Sequence, residues 1–348
     1  MSLRIGDRLV GSGEPPYVIA EAGSNHNRDF GTALALIDAA AEAGADAVKF
    51  QTFTADALVA RTSDPIATLT DEFSKYGRTV HEMFAAAEMP LEWLAKLKDH
   101  ATGRGITFLS TPFDERSADV LADLDMPAYK VASYEVVHLP LIRHIARKGK
   151  PVLISTGMAS LGEIEEAIGA VRAEGNDQIA IFHCPIGYPV PPEHVNLAVL
   201  DTLRQVFDIP VGLSDHTRGI AVPVAAVARG ASLIEKHYTL DAGQAGPDHG
   251  FAIEPHELAG LVAGCREAFI AIGDGRKVCL PSEQLHYVRG RRSLFAAVPI
   301  PAGTVVTEDM LAILRPGTGL APRFREAIVG RRARRDISAF DPIRWDDV

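Results

Sequence analysis

Two lysines in this 348-residue chain stand where lysine is costly. Lys49 lies in AVKFQ (47–51) and Lys130 in YKVAS (129–133), both mainly apolar runs. A buried ammonium has to be paired. One reading is internal: a salt bridge with Glu21 or another strand-end carboxylate. The other is external: a phosphate or carboxylate on a small ligand, with Ser133, Ser155 and Ser214 as further donors. Two histidines close consecutive apolar runs, His216 after VGLSD (211–215) and His237 within LIEKHY (233–238). As a pair they are expected to hold one divalent cation with coordination positions left open. The alternative is two hydrogen-bonded core histidines. Imidazoles with water and substrate oxygens suit Mn²⁺ or another borderline ion better than Ca²⁺. Glu235 shares a strand face with His237, so it is expected to orient that ligand or to sit in a core ion pair. In the turn-rich GQAGPDHG (243–250), Asp248 is expected to bond sugar hydroxyls ahead of His249.

Several chemistries lack their motifs. There is no HExxH, no GxSxG, no CxxC and no Walker-type loop. His26 in SNHN is not part of an HxH pair, which weakens a zinc hydrolase reading.

The elements that must position these residues are legible as alternation. Short β-branched runs occur at 17–21, 47–51, 107–111, 129–133, 152–156, 179–184, 211–215 and 233–238. Helical patterns fill gaps between them, for instance at 32–44, 139–149, 161–175 and 221–230, and one follows the last run at 255–273. Such alternation implies a parallel sheet. Eight units in about 250 residues fit a (β/α)8 TIM barrel better than an open doubly wound sheet, since no GxGxxG loop opens a helix. Barrel sites sit at the C-terminal strand ends, and these ends are polar here. They carry Glu21 and Asn25, Lys49 and Gln51, Thr111 and Asp114, then Lys130, Ser133 and Glu135. Ser155, Tyr188, the Ser214–Asp215–His216 run and His237 complete the circle. The long connection at 52–89 is expected to be functional, with a helix of its own inside 68–89.

Composition bounds the rest. Apolar residues make up 47% and charged residues 23%, an ordinary globular mix. The formal charge of −10 argues against nucleic acid and anionic membrane as partners. Residues 277–348 hold 12 Lys and Arg against 8 Asp and Glu, a net +4, so the remainder is net −14. That break divides the chain into a barrel domain (1–276), a linker (277–285) and a small β-rich module (286–348). Cys184, Cys265 and Cys279 are spread apart and read as reduced thiols. No signal peptide and no bilayer-spanning run is expected, so the cytoplasm is the default location.

Taken together, IAEAGSNHNRDF (19–30), DAVKFQTF (46–53), FLSTPFD (108–114), YKVASYE (129–135), ISTGMAS (154–160), YPVPPEHVNL (188–197), GLSDHT (212–217), IEKHYTLD (234–241), GPDH (246–249) and LRPGTG (314–319) resemble the sialic acid (N-acetylneuraminate) and nonulosonic acid synthase family. The resemblance spans nearly the whole chain, and the tail resembles the antifreeze-like (SAF) domain of those synthases. It implies condensation of phosphoenolpyruvate with an open-chain N-acyl amino sugar, N-acetylmannosamine or a 2,4-diacetamido-trideoxyhexose, with release of phosphate. It implies Lys49, Lys130, Ser133, Ser155 and Ser214 around phosphoenolpyruvate, with Thr111 beside them. His216 and His237 would hold a divalent metal, Mn²⁺ first, with Mg²⁺ or Co²⁺ as alternatives. Glu135 would act as base or cation stabiliser, and Glu21, Gln51, Tyr188 and Asp248 would contact the sugar. Arg315 would reach the N-acyl group across a domain-swapped homodimer. The departures fall on the sugar side. Tyr134 stands where sialic acid synthases tend to have glycine, and ASYEVVHLPLI (132–142) is closer to the pseudaminic acid branch. HCPIGYP (183–189) lacks a Thr-Thr-Asn type run, and GFAIEP (250–255) follows GPDH. The rival readings are a phosphoenolpyruvate-dependent 3-deoxy-sugar acid synthase and a non-catalytic sugar-binding homologue.

Overall fold

A computed structural model describes every residue except Met1, Ser63 and Asp71. It divides into two compact units, residues 1–273 and 274–348.

The first unit opens with an antiparallel hairpin, β1 (Ser2–Ile5) and β2 (Arg8–Gly11). Eight parallel strands follow: β3 (Tyr17–Gly23), β4 (Ala47–Thr52), β5 (Thr107–Pro112), β6 (Tyr129–Val131), β7 (Val152–Ser155), β8 (Ile179–His183), β9 (Val211–Asp215) and β10 (Leu233–His237). Their order is β5-β4-β3-β10-β9-β8-β7-β6. Among the described residues β5 and β6 are adjacent without a ladder, so the barrel is nearly closed. A helix follows each strand, at Phe30–Glu42, Leu94–Gly103, Glu115–Asp123, Leu139–Ala146, Leu161–Ala173, Val199–Phe207, Ala221–Ala228 and Pro255–Ile272. The expected α/β barrel is therefore the fold.

Local chemistry starts several of these helices. Asp29 accepts from the Thr32 amide, and His138 Nδ1 accepts from that of Leu141. Ser160 and Glu163 form a reciprocal capping box. Asp114 accepts from the amide and hydroxyl of Ser117. That corrects its expected place at the mouth: Asp114 is consumed as a helix cap.

Period-two alternation sorts each strand. On β3, Val18, Ala20 and Ala22 face the helices, joined by Val48 and Phe50 of β4. Tyr17, Ile19, Ala47, Leu109, Leu153, Phe182 and Leu233 face inward. Leu3, Ile5 and Val10 of the hairpin join this inner cluster, so the hairpin plugs one end of the barrel. Nothing in the sequence pattern announced that plug.

The long connection after β4 carries short helices at Ala55–Leu58 and Val80–Ala87. The second is the helix expected inside 68–89. The Tyr76 hydroxyl donates to the Gly246 carbonyl at 2.7 Å, tying this connection to the loop after β10.

The second unit is irregular and β-rich. Its first residues are not all extended: a 3₁₀ turn at Pro281–Glu283 and a helix at Gln284–Gly290 precede β11 (Ser293–Ala296) and β12 (Leu311–Leu314). The two strands pair antiparallel, and isolated bridges add Ile300–Ile337 and Val305–Arg332. Leu294, Ile300, Val306, Ile328, Ile337 and Ile343 form its core.

Candidate active site

The alternation that builds the inner core also carries the chemistry. Glu21, Lys49, Glu235 and His237 continue the inward faces of β3, β4 and β10, and Lys130 joins them from β6. Glu21 pairs in register with Lys49 on one side and His237 on the other. Lys49 Nζ lies 2.7 Å from Glu21 Oε2 and 3.8 Å from Glu235 Oε1. It also donates to Thr111 Oγ1 at 2.9 Å. Gln51 Nε2 donates to the other oxygen of Glu21 at 2.9 Å. Lys130 Nζ donates to Ser155 Oγ at 2.5 Å and lies 4.0 Å from Glu235. Ser214 Oγ donates to Glu235 at 3.1 Å. Glu235 thus belongs to the lysines, the core ion pair of the two readings; it does not orient His237.

Burial and charge oppose each other here. Burial pushes the Glu21 carboxyl up to about 7 despite Lys49. Burial also works against the Lys49 ammonium, yet Glu21 and Glu235 outweigh it and hold that group above its ordinary value. For Lys130, burial and the neighbouring Lys49 ammonium outweigh the pull of the more distant Glu235, and its pKa falls. Lys130 is therefore the less compensated cation, the one an incoming anion would relieve.

Ser133 Oγ accepts from the Gly157 amide at 3.0 Å, joining the turns after β6 and β7. Gly157 is required there, because a Cβ would meet the Cys184 carbonyl at 2.4 Å. Glu135 ends the same turn as Ser133. Its Oε2 is buried without a hydrogen-bond partner among the described residues. Burial pushes its pKa up to about 7, more than Lys130 pulls it down.

His216 and His237 have ring centroids 5.3 Å apart. His216 Nδ1 bonds to the Pro185 carbonyl at 2.9 Å, which leaves Nε2 free as a ligand. His237 Nδ1 is buried without a partner among the described residues, with Asp248 Oδ2 3.6 Å away. Burial lowers both pKa values, so both rings present lone pairs at neutral pH. These features fit a divalent ion. No cluster of three or more protein ligands exists among the described residues, so its remaining positions would fall to water or substrate oxygens. Asp248 itself is pushed up to about 6 by burial.

The strand ends share a cavity of about 420 Å³ lined by Glu21, Lys49, Gln51, Thr111, Lys130, Ser133, Ser155, Tyr188, Ser214, His216 and His237. Of the expected barrel residues, these are thus at the mouth, with Asp248 beside His237 and Glu135 next to the lining Tyr134, while Asp114 and Asp215 are not. A larger cavity, about 1340 Å³, is lined by the β2 turn, Arg204 and Ile272, and it lacks this constellation. Arg315 lies in the second unit, exposed just after β12. Asp215 is removed from the site: it pairs with Lys236 at 2.6 Å and accepts from Thr217. His249 bonds Thr239 Oγ1 at 2.6 Å and Asn27 at 3.2 Å, and His183 bonds the Val195 carbonyl at 2.6 Å. Sequence reasoning missed Phe251, whose ring packs 5.1 Å from both Tyr188 and His237. It also missed Cys184, Phe113 and Ile186 as cavity walls. All are apolar or thiol side chains, which give no chemical signal in a sequence.

An eight-stranded parallel barrel with paired lysines and two histidines at one mouth defines a (β/α)8-barrel protein. Residues 36–277 match the NeuB family and residues 291–348 match the SAF domain. This chain belongs to the NeuB family. It is 41% identical to the N,N'-diacetyllegionaminic acid synthase of Legionella pneumophila over 97% of this chain and 96% of that one. It is 34% identical to the pseudaminic acid synthase of Helicobacter pylori, covering 96% and 98%. Among solved structures, the N-acetylneuraminic acid synthetase of Leptospira borgpetersenii superposes with a TM-score of 0.72 at 32% identity, covering 82% of this chain and 95% of that one.

Proposed function

We propose that this chain is a nonulosonic acid synthase that joins phosphoenolpyruvate to an open-chain N-acyl amino sugar. The acceptor class is N-acetylmannosamine or a 2,4-diacetamido-trideoxyhexose. The observation that carries this reading is one cavity with two chemistries. Lys49, Lys130 and Ser155, on β4, β6 and β7, suit a small polyanion. His216, just after β9, and His237, at the end of β10, stand beside Tyr188 and Asp248 and suit a polar acceptor.

In the reaction, C3 of phosphoenolpyruvate bonds to the aldehyde carbon, and the aldehyde oxygen takes up a proton. The oxygen of water bonds to C2, and one of its protons balances the one the aldehyde oxygen takes up. The bond from C2 to the phosphate oxygen breaks as the C2 carbonyl forms, and phosphate leaves with the second proton. Lys130 and Lys49 neutralise the phosphate and carboxylate, with Ser133, Ser155, Ser214 and Thr111 fixing their orientation. Glu21 holds Lys49 and Gln51 in place. Glu135 moves the proton at Oε2, since a carboxyl near 7 can give or take one at neutral pH. Gln51, Tyr188 and Asp248 position the sugar. His216 and His237 would hold a divalent ion, Mn²⁺ in first place with Mg²⁺ or Co²⁺ as alternatives, and it would supply Lewis acidity toward the aldehyde oxygen. Arg315 would serve the acceptor's N-acyl group in a domain-swapped homodimer. No helix among the described residues is long and apolar enough to cross a membrane, and the cytoplasm, where phosphoenolpyruvate is made, suits the reaction.

The test is phosphate release from phosphoenolpyruvate with Mn²⁺ across N-acetylmannosamine, 2,4-diacetamido-6-deoxymannose and its altrose isomer, alongside phosphorylated sugars. Release with one sugar, abolished by chelator, is expected. Release only with phosphorylated sugars would favour a 3-deoxy-sugar acid synthase. Sugar binding without release would favour a non-catalytic protein.

A further inference from the structure

Phe251 carries no polar atom beyond its backbone, yet it touches the rings on which the acceptor side depends. It is 5% exposed. Its centroid lies 5.1 Å from His237, 5.1 Å from Tyr188 and 6.3 Å from His216. The ring is held by a pinned segment. The Ile253 amide donates to the His237 carbonyl at 3.0 Å, and the Thr239 amide donates back to Ile253 at 2.9 Å. Just upstream, His249 is fixed between Thr239 and Asn27.

The two histidines differ in what holds them. A ligating imidazole normally has its second nitrogen fixed by a hydrogen bond. His216 has that support from the Pro185 carbonyl. At His237, Nδ1 has no partner among the described residues, and the nearest carboxylate oxygen is 3.6 Å away. The orientation of the His237 ring therefore falls to packing, and the tilted Phe251 ring at 59° is against it. Aromatic pairs at this separation have preferred geometries.

We propose that Phe251 is a positioning residue that holds the His237 imidazole in its ion-binding orientation, replacing the hydrogen bond that holds His216. This rests on the reading that His216 and His237 bind a divalent ion. Phe251 is not among the residues lining the Lys49 and Lys130 cavity, and because it is buried its loss also costs stability, so ion affinity and unfolding have to be read side by side.

The experiment is Mn²⁺ titration of the metal-free full-length protein, read by the electron paramagnetic resonance of free Mn²⁺. Thermal unfolding of each metal-free variant accompanies it. Phe251→Ala is expected to weaken Mn²⁺ binding about 10- to 100-fold, the range for lost outer-sphere support. Phe251→Leu, which keeps most of the volume but no ring, is expected to lose affinity by a smaller factor while unfolding close to the wild type. Should Phe251→Ala fail to fold, the leucine variant decides. A folded variant with wild-type affinity, or one that lowers only the unfolding temperature, overturns the proposal. Wild-type protein that takes up no Mn²⁺ overturns the metal reading and this inference with it. Mn²⁺ uptake with only the variant unaffected overturns this inference alone.

Discussion

Glu21 and Lys49 face each other in register across β3 and β4, and their charged ends meet at 2.7 Å inside the barrel. Lys49 is thus already closely paired within the protein, unlike Lys130. Removing one member of a buried pair leaves the other uncompensated, at a cost of about 3–5 kcal/mol. Lys49→Ala and Glu21→Ala are each expected to destabilise the protein by that order, and Glu21→Gln/Lys49→Met together by less than the sum of its single changes. Urea unfolding of the two alanine variants, the double variant, its two single changes and the wild type measures this. Near-neutral single variants would show that the pair contributes nothing.

Glu135 gives a pH dependence with a defined sign. Its folded pKa is raised from 4.5 to about 7. The folded protein therefore favours the protonated carboxyl. The associated stability is present below about 4.5 and is lost as pH rises through about 7. Glu135→Gln is expected to remove that loss, so the gap between wild type and variant should widen in the variant's favour from pH 4.5 to 7. A constant gap across that window would show that Glu135 titrates normally. In the proposed reaction the same variant is expected to lower kcat by about 10²–10⁴-fold.

His216→Ala and His237→Ala are each expected to abolish tight Mn²⁺ binding and phosphate release together. Each would remove one of the two protein ligands proposed for the ion. A double variant that turns over fully in chelator would end the metal mechanism.

Gly157 sits where a side chain has no room, with the Cys184 carbonyl 2.4 Å and Ile186 2.7 Å from an added Cβ. Its amide also supports Ser133. Gly157→Ala is expected to shift this turn, to cost about 1–3 kcal/mol as overpacking does, and to raise KM for phosphoenolpyruvate. A variant with wild-type KM and stability would show that the turn yields without consequence.

Arg315→Ala is expected to impair acceptor use, seen as a raised KM for the sugar. Mixed with His237→Ala under conditions that exchange subunits, it should regain part of the activity if sites are shared between chains. No regain would favour a site completed within one chain.

The sequence by itself determined the barrel and most of the mouth. A strand buried on both faces reads as an apolar run, and eight such runs separated by helical patterns leave few alternatives. Period-two alternation then puts Glu21 on the face of Tyr17 and Ile19, Lys49 on that of Ala47, and Glu235 with His237, without any tertiary information. Pairing was not determined that way. Lys49 and Glu21 are 28 positions apart, and whether lysine meets an internal carboxylate depends on which strands adjoin and in what register. The same holds for Asp114 and Asp215, polar strand-end residues that the folded chain uses for a helix cap and for Lys236. The hairpin plug and Phe251 are the furthest cases. Leu3, Val10 and Phe251 are apolar side chains whose meaning lies wholly in what they are packed against. The path of the Phe251 loop is set by hydrogen bonds from His249 to Thr239 and Asn27 and from Ile253 to the end of β10, groups that lie together only because β3 and β10 are neighbours.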